Sequence, residues 1–252
     1  MERRTFRAMG TEIELIGDGG FDLAESEFHR LESIMTRFRD DSELSRLNRD
    51  GELDASPDLV RVVELALDAR ERTGGRFDPT VHDALVAAGY DRTFAELTDG
   101  RLRDGRPGGG DVDVSGERIV LGRGVRLDLG GIGKGYAAER AAELLALAGP
   151  CLVNAGGDIA VRGGAWRVGV EDATLELSSG GLATSGRDRR RWFRGGREQH
   201  HLIDPRTGRP AETELLRVTV VADDAVEAEV QAKNVFLGGP TDGCAYVLAV
   251  AA

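Results

Sequence analysis

Apolar and polar positions alternate from Phe6 to Ile16, most clearly at Ile13-Glu14-Leu15-Ile16, which predicts a strand. Met9-Gly10-Thr11 interrupts it, as at a bulge or a close backbone approach. Leu23, Leu31, Ile34, Met35 and Phe38 recur at near-helical spacing and predict an amphipathic helix over Asp22–Phe38. Asp40 to Asn48 is polar and reads as irregular. Ser56-Pro57 supplies an N-cap and a first-turn proline for a helix that runs to about Thr73 and stops at Gly74-Gly75. A short helix then precedes Gly89-Tyr90-Asp91, and Thr98 to Gly110 reads as a mobile loop and the best candidate for an internal boundary.

Two or three short strands are expected between Asp111 and Leu129, the last over Val125–Leu129 with Asp128 in its apolar register. An Ala- and Leu-rich helix follows from about Lys134 to Ala148, ending at Gly149-Pro150. Strand patterns recur at Cys151–Asn154, Asp158–Arg162, Trp166–Glu171, Gly181–Thr184 and Arg217–Ala222, before Asp223-Asp224 caps a last helix over Ala225–Leu237. Strands and helices mix without regular βαβ alternation, so the fold class is α+β, and residues 1–252 read as one domain without internal repeats.

Within this pattern the stretch Leu127-Asp128-Leu129-Gly130-Gly131-Ile132-Gly133-Lys134-Gly135-Tyr136 stands out. It reads as a strand end, a glycine-rich turn and the first turn of a helix, where free N–H groups and the Lys134 charge suit an anion such as phosphate. It is not a phosphate-binding P-loop, because Asp128 and Gly135 stand where that motif needs Gly and Ser/Thr. It is not the dinucleotide fingerprint, because Tyr136 replaces a glycine. Taken alone, such a glycine cluster is more often a structural turn. Asn154-Ala155-Gly156-Gly157-Asp158 reads as a hairpin turn and Thr184-Ser185-Gly186 as another small-residue turn.

Composition narrows the chemistry. A net charge of −11 argues against nucleic acid as a main partner. Four histidines, His29, His82, His200 and His201, are too few to expect a multi-histidine metal site. Cys151 and Cys244 lie in apolar runs and read as inert thiols. No apolar run is long enough for a transmembrane helix, and Met1 to Phe6 shows no apolar leader segment or lipid-bearing cysteine, so no membrane anchor is expected and a cytoplasmic location is. Arg187, Arg189, Arg190, Arg191, Arg194 and Arg197 crowd one polar hairpin and read as a solvated face, with docking of a phosphate or an acidic partner as the alternative.

The order and spacing of seven motifs resemble the ApbE family of FAD:protein FMN transferases: Met9-Gly10-Thr11, Asp41 to Asn48, Phe77 to Val81, Leu127 to Tyr136, Asn154 to Asp158, Ala183 to Gly186, and His201 to Gly208. The resemblance implies an α+β fold with two lobes around an FAD cleft. It also implies a reaction that splits the FAD pyrophosphate, joins FMN to a Ser or Thr hydroxyl of a target protein and releases AMP. By position it implies FAD contacts at Met9, Phe38, Arg76, Phe77, Asp78, Asp128, Gly131, Lys134, Gly157, Asp158, Ser185, His201 and Ile203, with His201 as candidate base and Asp204 as a turn residue.

One departure affects the metal. Relatives of this kind carry Ala-Asp-x-x-x-Thr on the last helix, whose Asp and Thr bind Mg²⁺ with a backbone carbonyl of the glycine-rich turn. Here the run is Ala228-Glu229-Val230-Gln231-Ala232-Lys233. Glu229 and Gly131 remain as candidate ligands, whereas the Lys233 ammonium repels a cation. Magnesium is therefore in question, and Glu229 and Lys233 become candidates for the catalytic site itself. The alternatives are an FAD-binding protein without transfer and an FAD pyrophosphatase giving FMN and AMP. No acceptor sequence of the type Asp-Gly-x-x-Ser/Thr-Ala-Thr occurs, so self-flavinylation is not expected, and strands after Leu237 are expected to be short or missing.

Overall fold

The computed structural model describes residues 1–242 and 244–251. Its elements run β1 (Glu2–Ala8), β2 (Thr11–Gly17), α1 (Phe21–Met35), α2 (Glu43–Asp50), β3 (Glu52–Asp54), α3 (Pro57–Arg72), α4 (His82–Ala87), β4 (Val112–Ser115), β5 (Arg118–Leu121) and α5 (Gly133–Ala146). They continue with β6 (Cys151–Ala155), β7 (Asp158–Val170), β8 (Ala173–Gly186), β9 (Arg191–Arg194), β10 (Arg197–His200), β11 (Ile203–Asp204), β12 (Arg209–Pro210), β13 (Leu215–Ala222), α6 (Ala225–Phe236) and β14 (Tyr246–Ala251).

A seven-stranded antiparallel sheet in the order β1-β2-β6-β7-β8-β13-β14 forms the larger lobe, with α1, α5 and α6 packed against it. A three-stranded sheet, β3-β5-β4, belongs to the smaller lobe with α2 and α3. The largest apolar cluster joins both, from Ala8 and Ile13 through Leu44, Leu59 and Ile119 to Ala141 and Val230. Mixed helix and sheet is the α+β architecture expected from the pattern. No helix among the described residues is long and apolar enough to cross a membrane.

Several local readings change. The interruption at Met9 is a hairpin: Ala8 pairs with Thr11, and Met9 (φ 52°) with Gly10 (φ 69°) makes a two-residue turn of left-handed residues. The polar stretch before Asn48 contains α2, because Ser42 caps it by accepting from the Ser45 N–H and only Leu44 and Leu47 need burial. Thr184 to Gly186 is not a turn but the end of β8, paired with β13. Gly156 and Gly157 do close a hairpin, between β6 and β7, with φ of 67° and 107°. Strands after Leu237 are not missing: β14 pairs along β13 at the sheet edge. The loop from Thr98 to Gly110 is stitched down by Arg194 to the Thr98 carbonyl (2.9 Å), by Gly108 N–H to the Pro205 carbonyl (2.7 Å) and by Arg70 to the Gly110 carbonyl (2.8 Å).

Val125–Leu129 alternates in burial like a strand but has no strand beside it. Its partner is a side chain. Asn48 donates to the Leu127 carbonyl (2.8 Å) and accepts from the Leu127 N–H (2.7 Å), while the Asp128 N–H reaches the Pro79 carbonyl (2.8 Å). This ties α2 to the segment that leads into the glycine-rich turn. Replacing Asn48 with Ala leaves two main-chain groups unpaired, so we expect a loss of about 2 kcal/mol and a fall in Tm of about 4–8 °C, read by thermal unfolding. An unchanged Tm contradicts this role.

Candidate functional site

The glycine-rich turn owes its glycines to close approach rather than to backbone angle, since none of Gly130, Gly131, Gly133 and Gly135 is in the left-handed region. A Cβ on Gly135 would lie 2.6 Å from the Ala225 carbonyl oxygen, and one on Gly131 would lie 3.1 Å from the Phe77 ring and 3.2 Å from Lys233 Cε. The N-terminus of α5 therefore comes within contact of α6.

That contact assembles four charged side chains. Lys134, at the start of α5, donates to Asp158 at the start of β7 and to Glu229 Oε1 on α6 (2.9 Å). Lys233, one turn after Glu229, donates to the same Oε1 (3.2 Å) and to the Glu229 carbonyl (3.3 Å). Glu229 Oε2 accepts from the Gly135 N–H (2.9 Å). Glu229 is fully buried, while Lys134 and Lys233 keep 17% and 15% of their side chains exposed.

Burial opposes every charge here; partners outweigh it at Glu229 and Lys134 but not at Asp158 and Lys233. Burial pushes Glu229 up, but Lys134, Lys233 and the Gly135 N–H outweigh it and hold the carboxyl well below its usual range. Burial and the Glu229 charge raise Asp158, which has fewer donors. Burial lowers Lys134, yet Asp158 and Glu229 more than reverse that and keep it protonated. Burial is the dominant influence on Lys233, which falls below its ordinary value despite Glu229. His201 is half-buried, with its Nδ1 buried and unpartnered; loss of solvation, then the charges of Arg190 and Lys233, push its pKa well below the ordinary value, so it is neutral at neutral pH.

A second group surrounds Asp128. The Arg37 Nε forms an ion pair with its carboxylate at 2.6 Å, and the Gly130 N–H donates to its Oδ1 (2.9 Å). The Arg37 guanidinium lies over the Phe38 ring (4.3 Å) and the Tyr90 ring (4.7 Å), and Tyr90 packs on Trp192. Phe38 is 39% exposed, which leaves an aromatic face free beside the pair.

Contacts thus join Gly131, Phe77, Lys134, Asp158, Glu229 and Lys233, with Gly157 next to Asp158 in the hairpin and His201 within reach of their charges. Asp128 and Phe38 meet through Arg37. Other candidates make their contacts elsewhere. Met9 gives its N–H to Glu32 (2.7 Å), and Arg76 donates to the Thr73 carbonyl (3.1 Å). Asp78 accepts from Thr80 and from the Gly109 N–H (2.7 Å). Ser185 is buried opposite Val218, and Ile203 packs with Leu85 and Trp192. Asp204 accepts from the Arg206 N–H in its own turn (2.9 Å).

Arg37 and Tyr90 escape sequence reading because nothing local marks them. Arg190 does carry a signal, the arginine-rich run, but its charge acts on Lys134 and His201 rather than only on solvent. Cavity size points elsewhere: clefts of about 480 and 760 Å³ are lined by Arg103, Arg187 and His200, and by Asp83 and Arg126. The converging ammonium groups make this cluster a better candidate site than volume does, because their charge suits an anionic ligand.

The profile of the ApbE family matches residues 9–251. The chain belongs to the ApbE family. Among ApbE relatives, the FAD:protein FMN transferase of Salmonella typhimurium is 29% identical, over 78% of this chain and 64% of its own length. That of Treponema pallidum is 30% identical, over 86% of this chain and 70% of its own length. The crystal structure of the ApbE protein from Thermotoga maritima superposes with a TM-score of 0.87 at 24% identity, covering 99% of this chain and 94% of that one. The flavinyl transferase ApbE of Pseudomonas stutzeri gives 0.84 at 22% identity, covering 100% and 91%. These structures share the fold seen here.

The donor set does not fit a divalent cation. Among the described residues no three His, Cys, Asp or Glu side chains group as metal ligands, and two ammonium groups already sit on Glu229. At about 4 Å and an effective dielectric of about 20, a unit charge pair is worth about 4 kcal/mol. A dication would gain about 8 kcal/mol from each carboxylate and lose about 8 to each ammonium, which leaves no net attraction.

The state of His201 gives a test with a worked sign. Its folded pKa is lowered, so below the ordinary value the unfolded chain takes up the proton that the folded chain refuses, and stability falls with acid. In His201→Gln that component is absent. Urea unfolding of both proteins should show the parent losing up to about 1.4 kcal/mol per pH unit more than the variant below about pH 6.5. Parallel profiles contradict a neutral His201.

Proposed function

We propose that this protein is an FAD:protein FMN transferase whose substrates are FAD and a target protein with a Ser or Thr acceptor. The observation that carries the reading is the pair of ammonium groups, Lys134 and Lys233, held on Glu229 at the α5 N-terminus, each with a donor to spare, near neutral His201. A pyrophosphate needs that combination of charge and helix-end N–H groups. Family membership and the names of its relatives supply the reaction class.

The acceptor oxygen attacks the phosphorus on the FMN side and forms the new P–O bond. The bond from that phosphorus to the bridging oxygen breaks, and AMP leaves with the bridging oxygen. The hydroxyl proton passes to His201, which is neutral and so has a ring nitrogen that can accept it. Lys134 and Lys233 balance the charge that grows on the leaving phosphate; this chemistry is mostly positioning and charge stabilisation. The exposed Phe38 ring and the Arg37–Asp128 pair offer a stacking face and polar partners for an aromatic end of FAD.

Incubation with FAD and a peptide carrying the Asp-Gly-x-x-Ser/Thr-Ala-Thr sequence should give AMP and a peptide heavier by FMN, read by mass spectrometry. Free FMN with AMP would make the protein a pyrophosphatase, and unchanged FAD a binder. Lys134→Ala should weaken FAD binding by about tenfold or more, the value of a lost charge-assisted contact. Parental affinity in a folded Lys134→Ala protein contradicts the assignment.

A further inference from the structure

We propose that Lys233 is a built-in cation, which lets this protein hold and cleave the FAD pyrophosphate without a divalent metal. The inference rests on the transferase reading above and concerns the same site.

Three observations carry it. First, Lys233 sits on the glycine-rich turn rather than in solvent: its Cε would lie 3.2 Å from a Cβ on Gly131. Second, its ammonium is anchored on one side only. An ammonium has three donors, and the acceptors of Lys233 are the carboxylate and carbonyl of one residue, Glu229, leaving an N–H without a protein acceptor among the described residues. Lys134 is in the same state, with Asp158 and Glu229 as its two acceptors. Third, the main-chain N–H groups of Gly131 and Lys134 also lack a protein acceptor among the described residues, so the unused donors lie together around the start of α5.

Fully buried Glu229 explains how an ammonium can be stationed there. One carboxylate takes two ammonium groups and the Gly135 N–H, so it fixes both positive charges relative to the helix end before any ligand arrives. A metal would have to displace the ammoniums from Glu229, whereas a pyrophosphate only has to accept the hydrogen bonds they have left. Lys233 is then a residue that touches substrate, and Glu229 is the positioning residue behind it.

The test measures FAD affinity by flavin fluorescence and transfer to the acceptor peptide, each with chelator and with Mg²⁺. Parent protein should bind FAD equally in both and should transfer FMN in chelator. Lys233→Met, which keeps the length and loses the charge, should bind FAD about tenfold more weakly with or without Mg²⁺. Lys233→Thr should be equally weak in chelator and recover with Mg²⁺. Circular dichroism establishes that each variant is folded; if one is not, the parent's response to chelator decides alone. Loss of binding or transfer when the parent is chelated overturns the inference while leaving the transferase reading intact, and so does parental affinity in folded Lys233→Met. A parent that binds no FAD under either condition overturns both.

Discussion

Glu229 is the constraint on which this structure turns. A fully buried carboxylate at the heart of a protein is unfavourable unless it is surrounded by donors. Its donors come from the first turn of α5 and from the next turn of α6, and one of them reaches on to Asp158 at the β6–β7 hairpin. Satisfying one charge therefore fixes the relation of two helices and a hairpin that are far apart in the chain. Gly135 permits this approach, since any side chain there would collide with the start of α6. Buried ion pairs of this kind seldom add stability over well-packed apolar residues. Their value here lies in presenting two ammonium groups, each with a donor left over, at a helix end that already favours anions.

The fold was legible wherever local signals and burial agree. Ser56-Pro57 and Asp224 mark helix starts, and both hydroxyl and carboxylate caps form. The legible pattern broke where a side chain or a turn replaced the expected partner. Asn48 pairs with Leu127 across 79 residues of chain and stands in for a neighbouring strand. Met9-Gly10 folds one alternating run into two strands, because both residues take left-handed angles that alternation does not report. Only two apolar residues face inward from α2, too few to show a helical period.

The site was legible in pieces. Glu229 and Lys233 are one helical turn apart, so their pairing follows from spacing. Their meeting with Lys134 bridges 95 residues, and that of Lys134 with Asp158 bridges 24, so only the family resemblance linked them before the fold was known. Arg37 had no such link. Its place between Asp128, Phe38 and Tyr90 is created by the tertiary fold, and its buried guanidinium is the strongest polar feature that the motifs did not announce.

The most direct measurement is a crystal structure of the FAD complex grown with magnesium present. The account predicts a pyrophosphate oxygen at about 2.7–2.9 Å from the Lys233 Nζ, with Glu229 still holding that ammonium and no metal between them. A metal ion bound to Glu229 and the pyrophosphate, with Lys233 turned away, would contradict it.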